Sequence, residues 1–163
     1  MHRCLVTPDQ LLADACTLGR DEARHLQTVL RVKPGDRVTL FDGRGRTRIA
    51  VIATVEKHGL SLTAAEPAQE HLRPACHLTL FACVSKGKRM DWSVEKAVEL
   101  GVAHIVPVIS DRTIVRLDAE DSDAKADRWL RVAEEAARQC GASWLPEISA
   151  PVPFKACLSL VAR

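Results

Sequence analysis

The chain has no tyrosine, and aromatic residues make up only 4% of it, which argues against a platform of several rings on which bases stack. No stretch approaches the ~20 consecutive apolar residues of a membrane span. His2 and Arg3 are followed by no apolar core long enough for a signal peptide. Of the six cysteines, Cys4, Cys16, Cys76, Cys83, Cys140 and Cys157, no two have the Cys-x-x-Cys spacing of a zinc site or a dithiol redox motif. Cys83 and Cys140 fall inside apolar patterns, where a thiol behaves as a small hydrophobe. Reduced thiols in a chain with neither signal nor span fit the cytoplasm, with no membrane partner and no metal. Nucleotide signatures are missing too: no Gly-x-Gly-x-x-Gly follows a strand and there is no Walker loop. The Gly-x-Ser-x-Gly and His-Glu-x-x-His motifs of hydrolases are also absent.

What is present is an ordinary globular composition, 163 residues with 47% hydrophobic and 27% charged, enough for one core or two small ones. The net charge of +2 is too small to argue for a nucleic-acid partner, but its distribution is uneven. Residues 19–48 carry eight cations (Arg20, Arg24, Arg31, Lys33, Arg37, Arg44, Arg46, Arg48) against four acids (Asp21, Glu22, Asp36, Asp42). From Ala75 onward the two signs balance. A basic first half on a neutral second half reads either as a grip on an anionic partner or as an Arg-rich solvated surface.

Cys4-Leu5-Val6, broken by Pro8, reads as an edge strand followed by a loop. Ala23, Leu26 and Leu30 have helical spacing over Asp21 to Leu30, with His25 at the edge of that stripe, more structural than catalytic in character. Arg37 to Phe41 places Val38 and Leu40 on one face. Ile49, Val51, Ala53 and Val55 alternate cleanly, and Leu60, Leu62 and Ala64 follow the Lys57-His58-Gly59 turn. Short strands separated by Gly turns point to a small barrel. Glu66 to Pro74, with two prolines and no apolar period, is the natural domain boundary.

The second half opens on one β-α-β unit. Leu78 to Val84 is a short apolar run suited to a strand buried on both faces. Ser85-Lys86-Gly87-Lys88-Arg89 interrupts it with three cations. From Asp91, a candidate N-cap, Val94, Ala97 and Val98 recur at helical spacing until Gly101. Ile105 to Ile109 is the second strand, parallel to the first. Ligands of open α/β sheets sit at the carboxyl ends of strands, here Ser85 to Arg89 and Ser110-Asp111-Arg112, so an anion site is expected there. Asp118, Glu120, Asp121 and Asp123 either hold a hard cation or complement the dipole of the next helix. That helix, about Ala124 to Cys140, aligns Trp129, Val132, Ala133, Ala136, Ala137 and Cys140 on one stripe. Glu134 and Arg138 are four apart on the solvent side. Glu135 and Gln139 flank the stripe, facing a site or only its rim. Trp144 to Ile148 is a third strand and Phe154 to Val161 a short apolar helix. Two or three strands leave the second sheet short of the usual five or six.

His25-Leu26-x-x-Val29-Leu30-Arg31, Pro34-Gly35-Asp36 and Leu40-Phe41-Asp42-Gly43 resemble the N-terminal domain of the ribosomal RNA small subunit methyltransferase E family. Lys86-Gly87-Lys88-Arg89-Met90-Asp91 and Glu95-Lys96-Ala97-Val98-Glu99-Leu100-Gly101-Val102 continue the resemblance. So do Ile105 with Pro107, Ser110 with Arg112, and Arg128-Trp129 with Ala136, Gln139 and Cys140. The resemblance implies an α+β chain with a PUA-like small β-barrel for RNA over residues 1–72. An incomplete SPOUT-type α/β methyltransferase domain then occupies residues 76–163. It implies methylation of N3 of one uridine in 16S rRNA of the small ribosomal subunit, with S-adenosylmethionine as cofactor, in a homodimer. The family's Gly-Pro-Glu-Gly-Gly and Leu-Arg-x-Glu-Thr segments, which form a C-terminal knot and hold the cofactor, do not occur in these 163 residues. The expectation is therefore a chain that lacks the knot and most of the cofactor pocket, with no cofactor-binding residue assignable. Family members usually read Gln-x-Gly-Arg where this chain has Gln139-Cys140-Gly141-Ala142.

Uridine N3 carries a proton, so transfer needs that proton removed and the anionic base stabilised. Arg112 is the candidate stabiliser, a phosphate or inter-subunit contact being its other reading, and Glu135 is the candidate base. Arg24, Arg31, Lys33, Arg44 and Arg46 from the first domain, and Lys86, Lys88 and Arg89 from the second, are the candidate RNA phosphate contacts. A non-catalytic RNA-binding remnant of the same family is the alternative.

Overall fold

The structure, a computed structural model, describes residues 1–19, 23, 26, 31–56, 59–111, 113 and 119–161, with the backbone alone at 119–121, 158, 160 and 161. The predicted helix over Asp21 to Leu30, His25 and Asp118 therefore fall wholly or mostly outside the described residues. The chain divides into two compact units, Met1–Arg73 and Pro74–Arg163.

The first unit is built on β1 (His2–Leu5), β2 (Ala15–Leu18), β3 (Arg37–Phe41), β4 (Arg46–Glu56), β5 (Gly59–Ala64) and β6 (Gln69–Glu70). Their order is β1-β3-β4-β5-β2, with β6 added beside β4. β1 lies parallel to β3, and every other pair is antiparallel. β1 stands at the edge, as its position before Pro8 predicted. The segment after it is more ordered than the predicted loop. Helix α1 (Pro8–Leu12) starts at a capping box, in which the Thr7 side chain accepts the Gln10 N–H at 3.3 Å and Gln10 Oε1 accepts the Thr7 N–H at 3.0 Å.

The core of this unit gathers Cys4, Leu11, Leu18, Val38, Leu40, Ile52, Leu60 and Leu62, all 2% exposed or less; each such leucine contributes roughly 1.5–3 kcal/mol by leaving water. β3 and β5 bury the face their alternation predicted. β4 does not. Ile49 and Val51 are half-buried and Ala53 and Val55 exposed, while Ala50 and Ile52 point inward. Residues 49–52 are apolar on both faces, so alternation alone could not choose between them. The pairing decides: Ile52 stands opposite buried Leu62, and the register then slips so that Thr54 meets Ser61. That bulge bends the strand away from the core beyond Ile52.

The second unit holds β7 (Thr79–Cys83), α2 (Lys88–Glu99), β8 (His104–Ile109), α3 (Ala119–Cys140), β9 (Glu147–Ile148), β10 (Val152–Pro153) and α4 (Phe154–Val161). β7 runs parallel to β8, from Thr79 opposite His104 to Cys83 opposite Val108, as the short β-α-β connection required. On the other side of β8 lie two short parallel pieces, β9 at His104 and Ile105 and β10 at Val108 and Ile109. Pro107 explains the break. The carbonyls of Ala103 and Ile105 accept N–H groups of Glu147 and Ser149 at 3.0 and 3.1 Å, so odd-numbered residues of β8 face this side. Pro107 is odd, brings no N–H, and interrupts the ladder there.

β7 is not buried on both faces. It closes the strand order on one side, and Leu80, Phe81 and Ala82 are half-buried while Cys83 is exposed. An unbroken apolar run marks a strand that can be covered on both faces, and only β8 flanks β7 among the described residues. Cys140 is exposed as well, on the last turn of α3, whereas Cys4 and Cys157 are the buried thiols. α2 packs on α3, joining Met90, Val94, Ala97 and Val98 to Trp129, Ala133, Ala136 and Ala137, all buried.

Candidate nucleic-acid interface

The loop after β7 ends in Gly87, whose φ of 69° and ψ of −143° make it the N-cap of α2. That backbone is close to glycine-only territory. The helix therefore begins at Lys88, one turn before the predicted start. Asp91 is no cap; it sits in the first turn and pairs with Arg128 of α3, pinning the two helices together. The early start throws Lys88 and Arg89 onto the first turn itself. Together with Lys86 and Ser93 they surround Trp92, and these five residues line an open hollow of about 540 Å³. Lys86, Lys88 and Arg89 are exposed, and among the described residues no ion pair engages them. Neighbouring charges are occupied: Lys96 bridges Glu95 and Glu99 at 2.9 and 2.8 Å. Ser93 turns its hydroxyl back to the Arg89 carbonyl at 3.0 Å. Trp92 is 62% exposed, against 3% for Trp129. Trp92 was missed by the sequence reading. Its signal was its place two residues from both Met90 and Val94, on the face of α2 opposite the buried stripe.

In the first unit the predicted cations separate into two kinds. Arg31, Lys33 and Arg44 are exposed. Arg31 adopts a left-handed φ of 52°, and Lys33 closes a turn in which its N–H donates to Asp36 Oδ2 at 2.7 Å. Arg46 is tied down. Its Nε donates to Asp42 Oδ2 at 2.8 Å, with the Arg46 side chain 27% and the Asp42 side chain 0% exposed. The Arg44 and Arg46 N–H groups also donate to Asp42 Oδ1, at 2.8 and 3.0 Å. Arg48, counted in the basic surplus, points inward as well: Nε donates to the Glu66 carbonyl at 2.8 Å, and Nη1 to the Leu11, Leu12 and Ala13 carbonyls at 3.2, 2.9 and 3.0 Å.

Burial by itself would push the Asp42 carboxyl up, but the two backbone N–H groups and the Arg46 guanidinium outweigh it and hold its pKa below the ordinary value. A depressed carboxylate stabilises the fold above its unfolded pKa, about 4, and that stabilisation is lost as pH falls through the lower folded value. Asp42→Asn is therefore expected to lower stability at pH 7 by about 1–3 kcal/mol, with the gap to wild type narrowing below about pH 4. Urea midpoints across that range check it; an equal gap at neutral and strongly acid pH would contradict the assignment.

Arg24 and Arg112 lie outside the described residues. Glu135 is half-buried on α3 and accepts from Arg138 Nη1 at 3.3 Å. Arg138 thus reaches a carboxylate three residues back. Among the described residues no group of three or more His, Cys, Asp or Glu side chains is placed to hold a metal ion. No described helix is long and apolar enough to cross a membrane.

The hollow has the chemistry of an anion site, and comparison with known proteins gives it a context. The family model described as an RNA methyltransferase domain matches residues 72–163, and that described as an RNA methyltransferase PUA domain matches residues 18–64. The chain belongs to the ribosomal RNA small subunit methyltransferase E family. The family member so named from Synechocystis is 29% identical over 94% of this chain and 48% of its own length. One from Neisseria gonorrhoeae, solved bound to S-adenosyl methionine, is 33% identical with a TM-score of 0.84, covering 97% of this chain and 65% of that one. A Legionella pneumophila protein, solved in complex with the bound cofactor SAM, is 30% identical with a TM-score of 0.87, covering 96% of this chain and 65% of that one. The chain thus spans about half the length of the curated family member and about two thirds of the solved ones.

Proposed function

We propose that this chain grips RNA for S-adenosylmethionine-dependent methylation of N3 of a uridine in 16S rRNA of the small ribosomal subunit. The observation that carries the reading is the Lys86, Lys88 and Arg89 cluster at the carboxyl end of β7, inside the segment that matches the RNA methyltransferase domain. Backbone phosphates bind there and to the exposed Arg31, Lys33 and Arg44 of a PUA-like barrel. Arg46 serves less as a phosphate contact than as the staple of the Asp42 turn. In this reading Arg24 is a further phosphate contact, Arg112 stabilises the anionic uracil edge, and Glu135 takes the N3 proton, with the active site near a homodimer interface in the cytoplasm.

S-adenosylmethionine would supply the methyl group. The hollow does not fit it: three cations repel a sulfonium, and the lining presents no carboxylate to offset that repulsion.

The test is incubation of the protein with unmodified small subunits and S-adenosylmethionine, followed by mass spectrometry of the digested 16S rRNA. 3-Methyluridine supports the reading. Methyl on carbon or on a ribose oxygen replaces the N3 assignment. RNA retained with no methyl incorporated leaves the non-catalytic RNA-binding remnant as the description of this chain.

A further inference from the structure

We propose that Trp92 is a base-stacking residue, and that the hollow around it seats one unpaired nucleotide with its base on the indole and its phosphates on Lys86, Lys88 and Arg89. The proposal rests on the RNA-binding reading above and adds what that reading does not hold, a contact to a base. A tryptophan 62% exposed carries a large apolar face into water, at odds with the burial of the other apolar residues of α2, Met90, Val94, Ala97 and Val98. Its surroundings select the occupant. An apolar peptide or a second protein core would have to desolvate three cations without a partner. A simple polyanion would leave the indole wet. A nucleotide satisfies both, since every base offers a π-face and every linkage an anion. The volume, about 540 Å³, lies within the range of small-molecule sites. Its openness along the helix suits a strand that enters and leaves. The low aromatic content argues against a stack of several rings, not against one ring in a cationic frame.

The experiment titrates the 163-residue chain with an oligouridylate of roughly ten nucleotides, following tryptophan emission and, separately, the anisotropy of a labelled oligonucleotide. The expected result is quenching that saturates with the anisotropy change and disappears in Trp92→Phe, which still binds within about threefold. Trp92→Ala should bind about tenfold more weakly at an unchanged melting temperature. An abasic oligomer of equal length should bind the wild type as weakly as uridylate binds Trp92→Ala. Binding by anisotropy without quenching, or equal affinities for Trp92→Ala and wild type, would overturn the stacking role while leaving RNA capture intact. Loss of the salt-sensitive anisotropy signal in the wild type itself would remove both. A wild-type Trp92 already shielded from a soluble quencher, in a chain that sediments as a dimer, would assign the hollow to a second copy and end the proposal.

Discussion

Arg48→Ala is expected to lower the stability of the first unit by about 3 kcal/mol, which for a unit of this size is a fall in melting temperature of roughly 15 °C. The side chain, 13% exposed, runs from β4 across to the end of α1. The last turn of α1 contains no basic residue of its own, and its final carbonyls need donors. Arg48 supplies them from outside, donating to Leu11, Leu12 and Ala13 and, through Nε, to the Glu66 carbonyl. One guanidinium thus joins the N-terminal helix, the central strand and the segment leaving β5. Removing it strands the part-buried carbonyls of Leu11 and Glu66 and takes away the packing of the guanidinium stem. Lysine has one nitrogen where the fork has three, so Arg48→Lys should recover only part of the loss. Thermal melts of the three proteins decide it. An unchanged melting temperature with weakened RNA binding would return Arg48 to the basic surface.

The two fates of the arginines show where the sequence stopped being informative. Spacing identified β3, β5, β8, α3 and α4 because each has one apolar face or one apolar run, and the pattern then admits few structures. It found β4 as an antiparallel strand but not its inward face, since residues 49–52 are apolar on both faces and the partner strand makes the choice. It passed over α1 although Thr7-Pro8-Asp9-Gln10 spells a capping box with proline at the first helical position; five residues are too few for a period to show. Charge is less legible still. Arg44 and Arg46 are two residues apart in one turn, yet one is exposed and the other is drawn onto a buried carboxylate. Nothing in composition separates a cation that waits for a phosphate from one that satisfies a carbonyl. The cations after β7 were singled out from strand ends and charge, but Trp92 was not, although its spacing of two from Met90 and Val94 already turns it away from the buried stripe.

The replacement of Lys86, Lys88 and Arg89 together by glutamate is expected to cost about a hundredfold in RNA affinity and to raise the melting temperature by a few degrees. The opposite signs carry the argument. The first turn of a helix is the positive end of its dipole, where acids stabilise and cations destabilise, yet α2 begins Lys88-Arg89 beneath a glycine cap with no side-chain hydrogen bond. The fold gains nothing evident from that choice. A backbone anion does, because free N–H groups, dipole and cations converge on it. The wild type, holding about three phosphates here, should lose affinity for single-stranded RNA with a log–log salt slope near −2, about a twentyfold fall between 50 and 200 mM salt. In the triple variant the contribution of this cluster to that slope should vanish, leaving only what Arg31, Lys33 and Arg44 provide. Filter binding across the salt series, beside a thermal melt, measures both quantities on the same protein. A variant that binds RNA as tightly as the wild type would show that the cations serve something else. A variant that melts earlier would show that they hold the helix start in place, and the function assigned to the hollow would have to be sought on another face of the unit.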